Sequence, residues 1–203
     1  MSDAIKNKNR ISMVTLFAMF ALPTLLALWL LGPGEDWMPA RDTNNGTLIA
    51  PARPLPVDLA LSSPAGESLP DRFLTGKWTL LYFQAAGCDE LCMEVLHRIR
   101  QIRLAQGEET PRVQRLFVLA SPDAMLPSAV SEAYPGLDVA VVTDATHGEL
   151  LDLFVVDGVD PVSSDRVYMI DPLGNLMMYY EPTDEPNGIL RDLRKLLKWS
   201  QIG

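Results

Sequence analysis

Two cysteines, Cys88 and Cys92, are the residues of this chain best suited to chemistry. They are its only cysteines, they follow the strongly apolar residues 78–83, and they begin a segment with helical spacing. Positions i and i+4 of a helix share one face, so both sulfurs can reach each other or a single ion. Unpaired N–H groups at the start of a helix favour the thiolate, the form that exchanges disulfides and binds soft metals. The pair therefore predicts a redox-active disulfide or a soft-metal site.

The position of each cysteine suggests its role. Cys88 lies at the start of the predicted helix, nearer the loop and solvent, so it is predicted as the nucleophile, with Cys92 as the resolving partner. The alternative is a structural disulfide across one helical turn, although a bridge that closes so short a loop contributes less stability than one that closes a long loop.

Other residues could modify the chemistry of this pair. Asp89 and Glu90 lie between the cysteines, where their charge opposes thiolate formation and favours a cation, or simply complements the helix dipole. Met93 offers a thioether to Cu(I), although core packing explains a methionine more simply. His147 follows a predicted strand end, the edge where ligand sites gather in α/β sheets, and is a candidate metal ligand or an ordinary loop histidine.

An uncharged N-terminal segment predicts a membrane anchor. Residues 11–32 contain no charged side chain, and 22 residues of helix extend about 33 Å, enough to span a bilayer. Basic residues precede the segment and acidic residues follow it, which places residues 1–10 in the cytoplasm and residues 35–203 in the periplasm, across a bacterial inner membrane. A cleaved signal peptide is the alternative, but the segment is longer than usual and no small-x-small site follows it. Outside the cytoplasm, cysteine pairs are oxidised unless something reduces them.

Charge and missing motifs exclude several functions. The net charge is −9, and the first 34 residues carry +2, so the remainder carries −11. A domain with so negative a net charge is a poor candidate for binding nucleic acid, which requires basic patches. The chain has no Gly-rich phosphate loop, no zinc-type ligand cluster and no Gly-x-Ser-x-Gly motif, so nucleotide-dependent and hydrolytic chemistry have no support.

Residues 33–56 are rich in Gly, Pro, Asn and Asp and predict a linker, which leaves residues 57–203 as the folded domain. Within that domain strands and helices alternate, and the order predicts an α/β thioredoxin-like fold with a central mixed sheet flanked by helices. The predicted strands are 78–85, 113–120, 138–143, 166–170 and 176–180, and the predicted helices are 92–106, 128–134, 147–154 and 188–199.

Two blocks of sequence, residues 76–83 with the cysteines that follow and residues 168–174, resemble the Sco/SenC family. The resemblance implies a membrane-tethered thioredoxin fold that assists assembly of the dicopper centre of cytochrome c oxidase. Members act as copper chaperones, as thiol–disulfide reductases of the oxidase's cysteines, or as both. The implied partner is an oxidase subunit or another copper-handling protein.

The chain departs from the family pattern at its site. Asp89 and Met93 stand where the family has prolines, and Ser163 stands where it has a histidine ligand for copper. A hydroxyl is a poor copper ligand, so the departure favours thiol–disulfide exchange through Cys88 and Cys92, with no required cofactor. Two alternatives stay open: a Cu(I) chaperone that uses the same two thiolates, and a non-enzymatic scaffold with a structural disulfide.

Overall fold

A computed structural model describes residues 2–30, 43–57, 59, 61–85, 87–121, 124, 126–142, 147–200 and 202. The chain divides into two compact units, residues 1–43 and residues 44–203.

The first unit contains one long helix, α1 (Ser2–Leu30), with Pro23 inside it. Its stretch Ser12–Trp29 is long and apolar enough to cross a membrane, by length and composition. Large apolar side chains such as Phe17 and Trp29 are more than 70% exposed along the helix. A helix that is apolar on every side is suited to a lipid surrounding, as the prediction for residues 11–32 requires.

The second unit is built on a seven-stranded mixed sheet with the strand order β1-β7-β6-β3-β4-β5-β2. The three strands β3, β4 and β5 are parallel, and the other pairings are antiparallel. The strands are β1 (Thr47–Pro54), β2 (Leu61–Ser62), β3 (Trp78–Gln84), β4 (Val113–Leu119), β5 (Asp138–Val142), β6 (Val167–Ile170) and β7 (Asn175–Tyr180). The helices are α2 (Glu90–Leu104), a 3₁₀ helix (Gly107–Arg112), α3 (Ser128–Ala133), α4 (His147–Phe154) and α5 (Gly188–Trp199).

The central strand β3 is apolar along its length because both of its faces are covered. Leu80 and Tyr82 join the core cluster that also contains the buried residues of α2 and α5. Leu81 and Phe83 point to the other face, where they share a cluster with Phe154 of α4. Helices thus cover both faces of a mixed sheet, and the predicted thioredoxin-like α/β architecture is confirmed. Every element predicted between residues 78 and 199 is present, with ends that differ by two residues at most.

One strand lies where the sequence predicted a linker. Within residues 33–56, Thr47–Pro54 forms β1, which pairs antiparallel with β7 at one edge of the sheet. The prediction missed it because proline and glycine argue against a strand. An edge strand needs hydrogen bonds on one side only, and the register shift between Leu48 and Arg53 accommodates Pro51.

The residues just before β1 are fastened to α5. Asp192 is 3% exposed, and its carboxylate accepts hydrogen bonds from the backbone N–H of Asn45 (2.7 Å) and Gly46 (3.0 Å) and from the Asn45 amide (2.7 Å). The Tyr180 hydroxyl donates to the same carboxylate at 3.1 Å. The buried carboxylate of Asp192 therefore joins the start of β1 to α5, although Asn45 and Asp192 are 147 residues apart in sequence.

Candidate functional site

The two cysteines lie where the central strand turns into a helix. β3 ends at Gln84 and α2 begins at Glu90, and the connecting loop includes Gly87 in a left-handed conformation (φ +78°) that favours glycine. Cys88 and Cys92 form a disulfide, with their Cα atoms 5.2 Å apart. The structure therefore brings the two predicted site residues together at the carboxyl end of the parallel strands, the edge at which α/β sheets place their functional sites.

The two sulfurs have different surroundings. Cys92 is fully buried in the core cluster beneath α2, next to residues such as Val95 and Leu96. Cys88 is half-buried and packs at the rim of the same cluster. Cys88 is therefore the more accessible of the two residues, and attack at Cys88 before Cys92 stays a prediction.

Asp89 caps the helix that carries Cys92. Its backbone is extended (φ −82°, ψ −171°), and its side chain accepts a hydrogen bond from the backbone N–H of Cys92 at 2.9 Å. Asp89 thus lies one residue before the first turn, in which Glu90 is the acidic residue. The carboxylate satisfies one helix N–H and also places a negative charge between the two cysteines.

Replacing Asp89 should separate these two effects. Asp89→Ala removes the cap and should cost about 1 kcal/mol of stability in the oxidised protein, measured by urea unfolding. Asp89→Asn keeps a cap acceptor but removes the charge, so it should retain stability while the reduced thiols react faster with iodoacetamide, because the thiolate is less opposed. Slower alkylation of Asp89→Asn than of the wild type would contradict this electrostatic role.

A polar cluster lies at the end of β3, just before the loop that leads to the disulfide. The Tyr82 hydroxyl donates to Asp165 Oδ1 (2.7 Å), and the Gln84 amide donates to the same oxygen (2.8 Å) and to the Tyr82 hydroxyl (2.6 Å). Burial, and next the bond to Asp165, raise the pKa of Tyr82 far above its usual range, so this hydroxyl stays a proton donor. The cluster ties the segment before β6 to the strand that delivers the cysteines.

Sequence reasoning missed this cluster. The available signal was Gln84, a polar residue that ends an otherwise apolar strand, but nothing in the sequence pairs it with Asp165, 81 residues away. Asp165 also adopts a left-handed backbone (φ +52°), which is uncommon for a residue other than glycine.

The remaining predicted ligands are not brought into a described metal site. Ser163 is exposed, two residues from Asp165. His147 is the first residue of α4, and its side chain lies outside the described part of the structure. Met93 is half-buried against the core, and its carbonyl accepts the Tyr134 hydroxyl at 2.9 Å. Among the described residues, no group of three or more His, Cys, Asp or Glu side chains could hold a metal ion.

The arrangement supports two kinds of sulfur chemistry. As a disulfide, the pair can accept two electrons from a dithiol, with Cys88 as the accessible sulfur. When reduced, it offers two adjacent thiolates, which are suitable ligands for a soft ion such as Cu(I).

Comparisons with known proteins agree with this fold. Residues 78–200 match the family described as transmembrane-like, thioredoxin-like, C-terminal domain. No curated protein matches the chain.

Several solved structures are similar. Apo Sco1 from Thermus thermophilus is 23% identical, with a TM-score of 0.57, and the match covers 77% of this chain and 99% of that one. Yeast Sco1 with copper bound is 16% identical, with a TM-score of 0.56 and coverage of 76% and 93%. BsSco, a member of the Sco family of cytochrome c oxidase assembly proteins in which a disulfide switch was identified, is 16% identical, with a TM-score of 0.51 and coverage of 69% and 91%.

These structural similarities establish a shared fold, which the resemblance at residues 76–83 and 168–174 had predicted. The family match covers more than half of the chain, including β3, the cysteine pair and every later helix and strand. The chain therefore belongs to the family of transmembrane-like, thioredoxin-like C-terminal domains, and its folded unit has the architecture of the Sco proteins.

Proposed function

We propose that this protein is a membrane-anchored, Sco-like assembly factor for respiratory cytochrome c oxidase that acts by thiol–disulfide exchange. The observation that carries the proposal is the Cys88–Cys92 disulfide at the strand-to-helix junction, in which Cys88 is half-buried and Cys92 is fully buried. The role of BsSco as a member of a family of oxidase assembly proteins, and its disulfide switch, support the assignment by analogy.

The exchange proceeds in two steps. In the reduced protein, the Cys88 thiolate attacks a disulfide of the partner, so that a mixed disulfide forms and one partner thiolate leaves. Cys92 then loses its proton and attacks the sulfur of Cys88, which releases the second partner thiolate and forms the Cys88–Cys92 disulfide. The partner gains two electrons and its thiolates take up protons, while this protein is oxidised by the same two electrons. The reverse sequence oxidises a partner dithiol.

The anchor defines where this exchange takes place. Helix α1 supplies the membrane span through its apolar stretch Ser12–Trp29, and its basic N-terminal residues Lys6, Lys8 and Arg10 favour the cytoplasmic side. Residues 33–56 lead from the span to the folded domain, with β1 already part of the sheet, and the thioredoxin-like domain functions in the periplasm. In that compartment the pair is oxidised unless a dithiol donor reduces it.

Delivery of Cu(I) by the same two thiolates is the second candidate, and copper is then cargo rather than a resident cofactor. Yeast Sco1 was solved with copper bound, which favours this candidate. The exposed Ser163 in place of the family's histidine weakens Cu(II) binding most, because two thiolates alone suit Cu(I).

Substituting both cysteines tests the proposal. In cells, Cys88→Ser/Cys92→Ser should abolish most cytochrome c oxidase activity in isolated membranes, whereas Ser163→Ala, a change at an exposed site in the same region, should not. Assembly that survives the double substitution would leave only a scaffold role. A titration of the reduced full chain with Cu(I) against a competing chelator then separates the two candidates, because only the chaperone requires stoichiometric binding.

A further inference from the structure

Basic side chains are concentrated at the amino end of the parallel strands, opposite the cysteines. We call this surface the basic edge, and it comprises Arg100, Arg103, Arg112, Arg194, Lys195 and Lys198. Three of the chain's 17 Lys and Arg residues precede residue 34, so the edge holds six of the remaining fourteen. The basic edge therefore concentrates positive charge in a domain whose net charge is strongly negative.

Hydrogen bonds hold three of these arginines at one surface. Arg103 Nε donates to the carbonyl of Val113, the first residue of β4, at 2.6 Å. Arg112 donates to the carbonyl of Leu197 at 3.2 Å, and Arg194 donates to that of Ala105 at 3.1 Å. The ends of α2 and α5 and the start of β4 therefore meet at a single surface. Glu108 and Glu109 share it, and Glu109 pairs with Arg112 at 2.7 Å.

Two large apolar side chains are exposed at the same edge. Trp199 is 76% exposed and Ile202 is 52% exposed, and the Lys198 ammonium lies 5.7 Å from the centre of the Trp199 ring. The dipole of α5 explains lysines in its last turns, but it does not explain an exposed tryptophan. Lysine stems and tryptophan rings together are typical of surfaces that meet the headgroup region of a bilayer.

The chain enters the folded unit on the same helix. Asn45 is bonded through its side chain to Asp192 at 2.7 Å and accepts a hydrogen bond from Arg191 at 2.6 Å, and both partners belong to α5. Residues 31–44 connect Asn45 to α1, and 14 residues span at most about 50 Å. Asn45 lies near the N-terminal end of α5 and close to Tyr180, at the cysteine end of the sheet, whereas the basic edge lies at the C-terminal end of α5. Because α5 is about 18 Å long, the connecting residues can extend past it, and the basic edge can reach the membrane in which α1 is inserted.

We propose that the basic edge, together with Trp199 and Ile202, docks on the anionic phospholipid headgroups of the membrane that α1 spans. The proposal rests on the proposed anchoring and is independent of the exchange chemistry. Positive charge on an otherwise acidic domain complements a negatively charged leaflet, while the rest of the domain is repelled by it.

Docking at this edge directs the cysteines away from the lipid. Gln84 of β3 pairs with Leu119 at the carboxyl end of β4, and the loop with Cys88 follows Gln84. The basic edge begins at Val113, the opposite end of the same strand, and seven residues of strand extend about 20 Å. The disulfide is thereby presented to a partner in the aqueous compartment.

Quenching of tryptophan fluorescence by brominated lipids tests this docking. The full chain would be placed in nanodiscs of brominated phosphatidylcholine, either alone or mixed with phosphatidylglycerol. Quenching that is lost in Trp29→Phe reports insertion of α1, and quenching that is lost in Trp199→Phe reports docking of the edge. We call the quenching that is lost in Trp199→Phe the Trp199 component. We expect this component in the mixed lipid only, and we expect added salt to reduce it.

Charge reversals identify the surface. Lys198→Glu should reduce the Trp199 component severalfold, and Lys195→Glu/Lys198→Glu should remove it. Arg98→Glu, the same charge change in the middle of α2, should leave it unchanged. The docking is overturned if Trp29 is quenched in the mixed lipid while Trp199→Phe changes nothing. If Trp29 itself is not quenched, the anchoring fails and the docking with it, whereas the exchange chemistry is untouched.

Discussion

Replacing Cys92 with serine should trap the partner on Cys88, whereas replacing Cys88 with serine should trap almost nothing. The expectation follows from burial, because Cys92 is fully buried in the core and Cys88 is half-buried at its rim. A mixed disulfide at Cys88 is normally resolved by Cys92, so without the Cys92 thiol it should persist. Non-reducing gels of membranes from cells that express each variant would show the complex, with an excess of about tenfold or more for Cys92→Ser.

The matched variants make this result specific. The double serine variant should give no complex, and Met93→Leu, which changes the neighbouring half-buried residue without removing a thiol, should behave as the wild type does. An equal yield of complex from both single variants would show that a partner can reach Cys92 directly, and the assigned order of attack would be wrong. Absence of complex from both would argue against exchange altogether.

The sequence was most informative where a pattern is local. Strand β3 and helix α2 follow from a run of apolar residues and from helical spacing, and a separation of three residues between Cys88 and Cys92 permits few geometries. The accessible and buried roles of the two sulfurs also follow from their order along the chain, since the first lies before the helix and the second on its inner face.

What could not be predicted depends on contacts between distant residues. The pairing of Gln84 and Tyr82 with Asp165 appears only when the segment before β6 returns to the end of β3. The cap by Asp89 was within reach of local reasoning, but its carboxylate was predicted only to complement the helix dipole, not to accept a hydrogen bond from the N–H of Cys92. In each case the periodicity of apolar residues carries no information, because the residues involved are polar.

Strand β1 also depends on a contact between distant residues. Its prolines make a strand improbable by propensity, but the buried carboxylate of Asp192 on α5 holds the residues that lead into it. The close approach is built into the chain: a Cβ atom at Gly46 would lie 2.5 Å from the Tyr180 ring and 2.9 Å from the carbonyl of Tyr179. The linker therefore ends at a fixed point on the domain rather than in a loose loop.

Asp192→Ala should consequently be among the most destabilising single substitutions in the domain, by about 3–5 kcal/mol. The change leaves the N–H groups of Asn45 and Gly46 and the hydroxyl of Tyr180 without their common acceptor in a buried site. Burial, and next the adjacent Asp192, raise the pKa of Tyr180 far above its usual range, so in the wild type this hydroxyl stays a proton donor to the carboxylate. Urea unfolding of the oxidised chain gives the free energy directly.

Glu185→Ala provides the control for that measurement. Glu185 pairs with Arg191 near the same end of α5, but both side chains are about half exposed, so its loss should change the free energy of unfolding far less than Asp192→Ala does. Asp192→Asn should fall between the two, because an amide retains one acceptor oxygen but not the charge. A protease that cuts near residues 43–47 should also act sooner on Asp192→Ala than on Glu185→Ala, since the segment before β1 is released. A cost of less than about 1 kcal/mol for Asp192→Ala would mean that β1 is held by its pairing with β7 alone, and that the entry point on α5 is not fixed by this carboxylate.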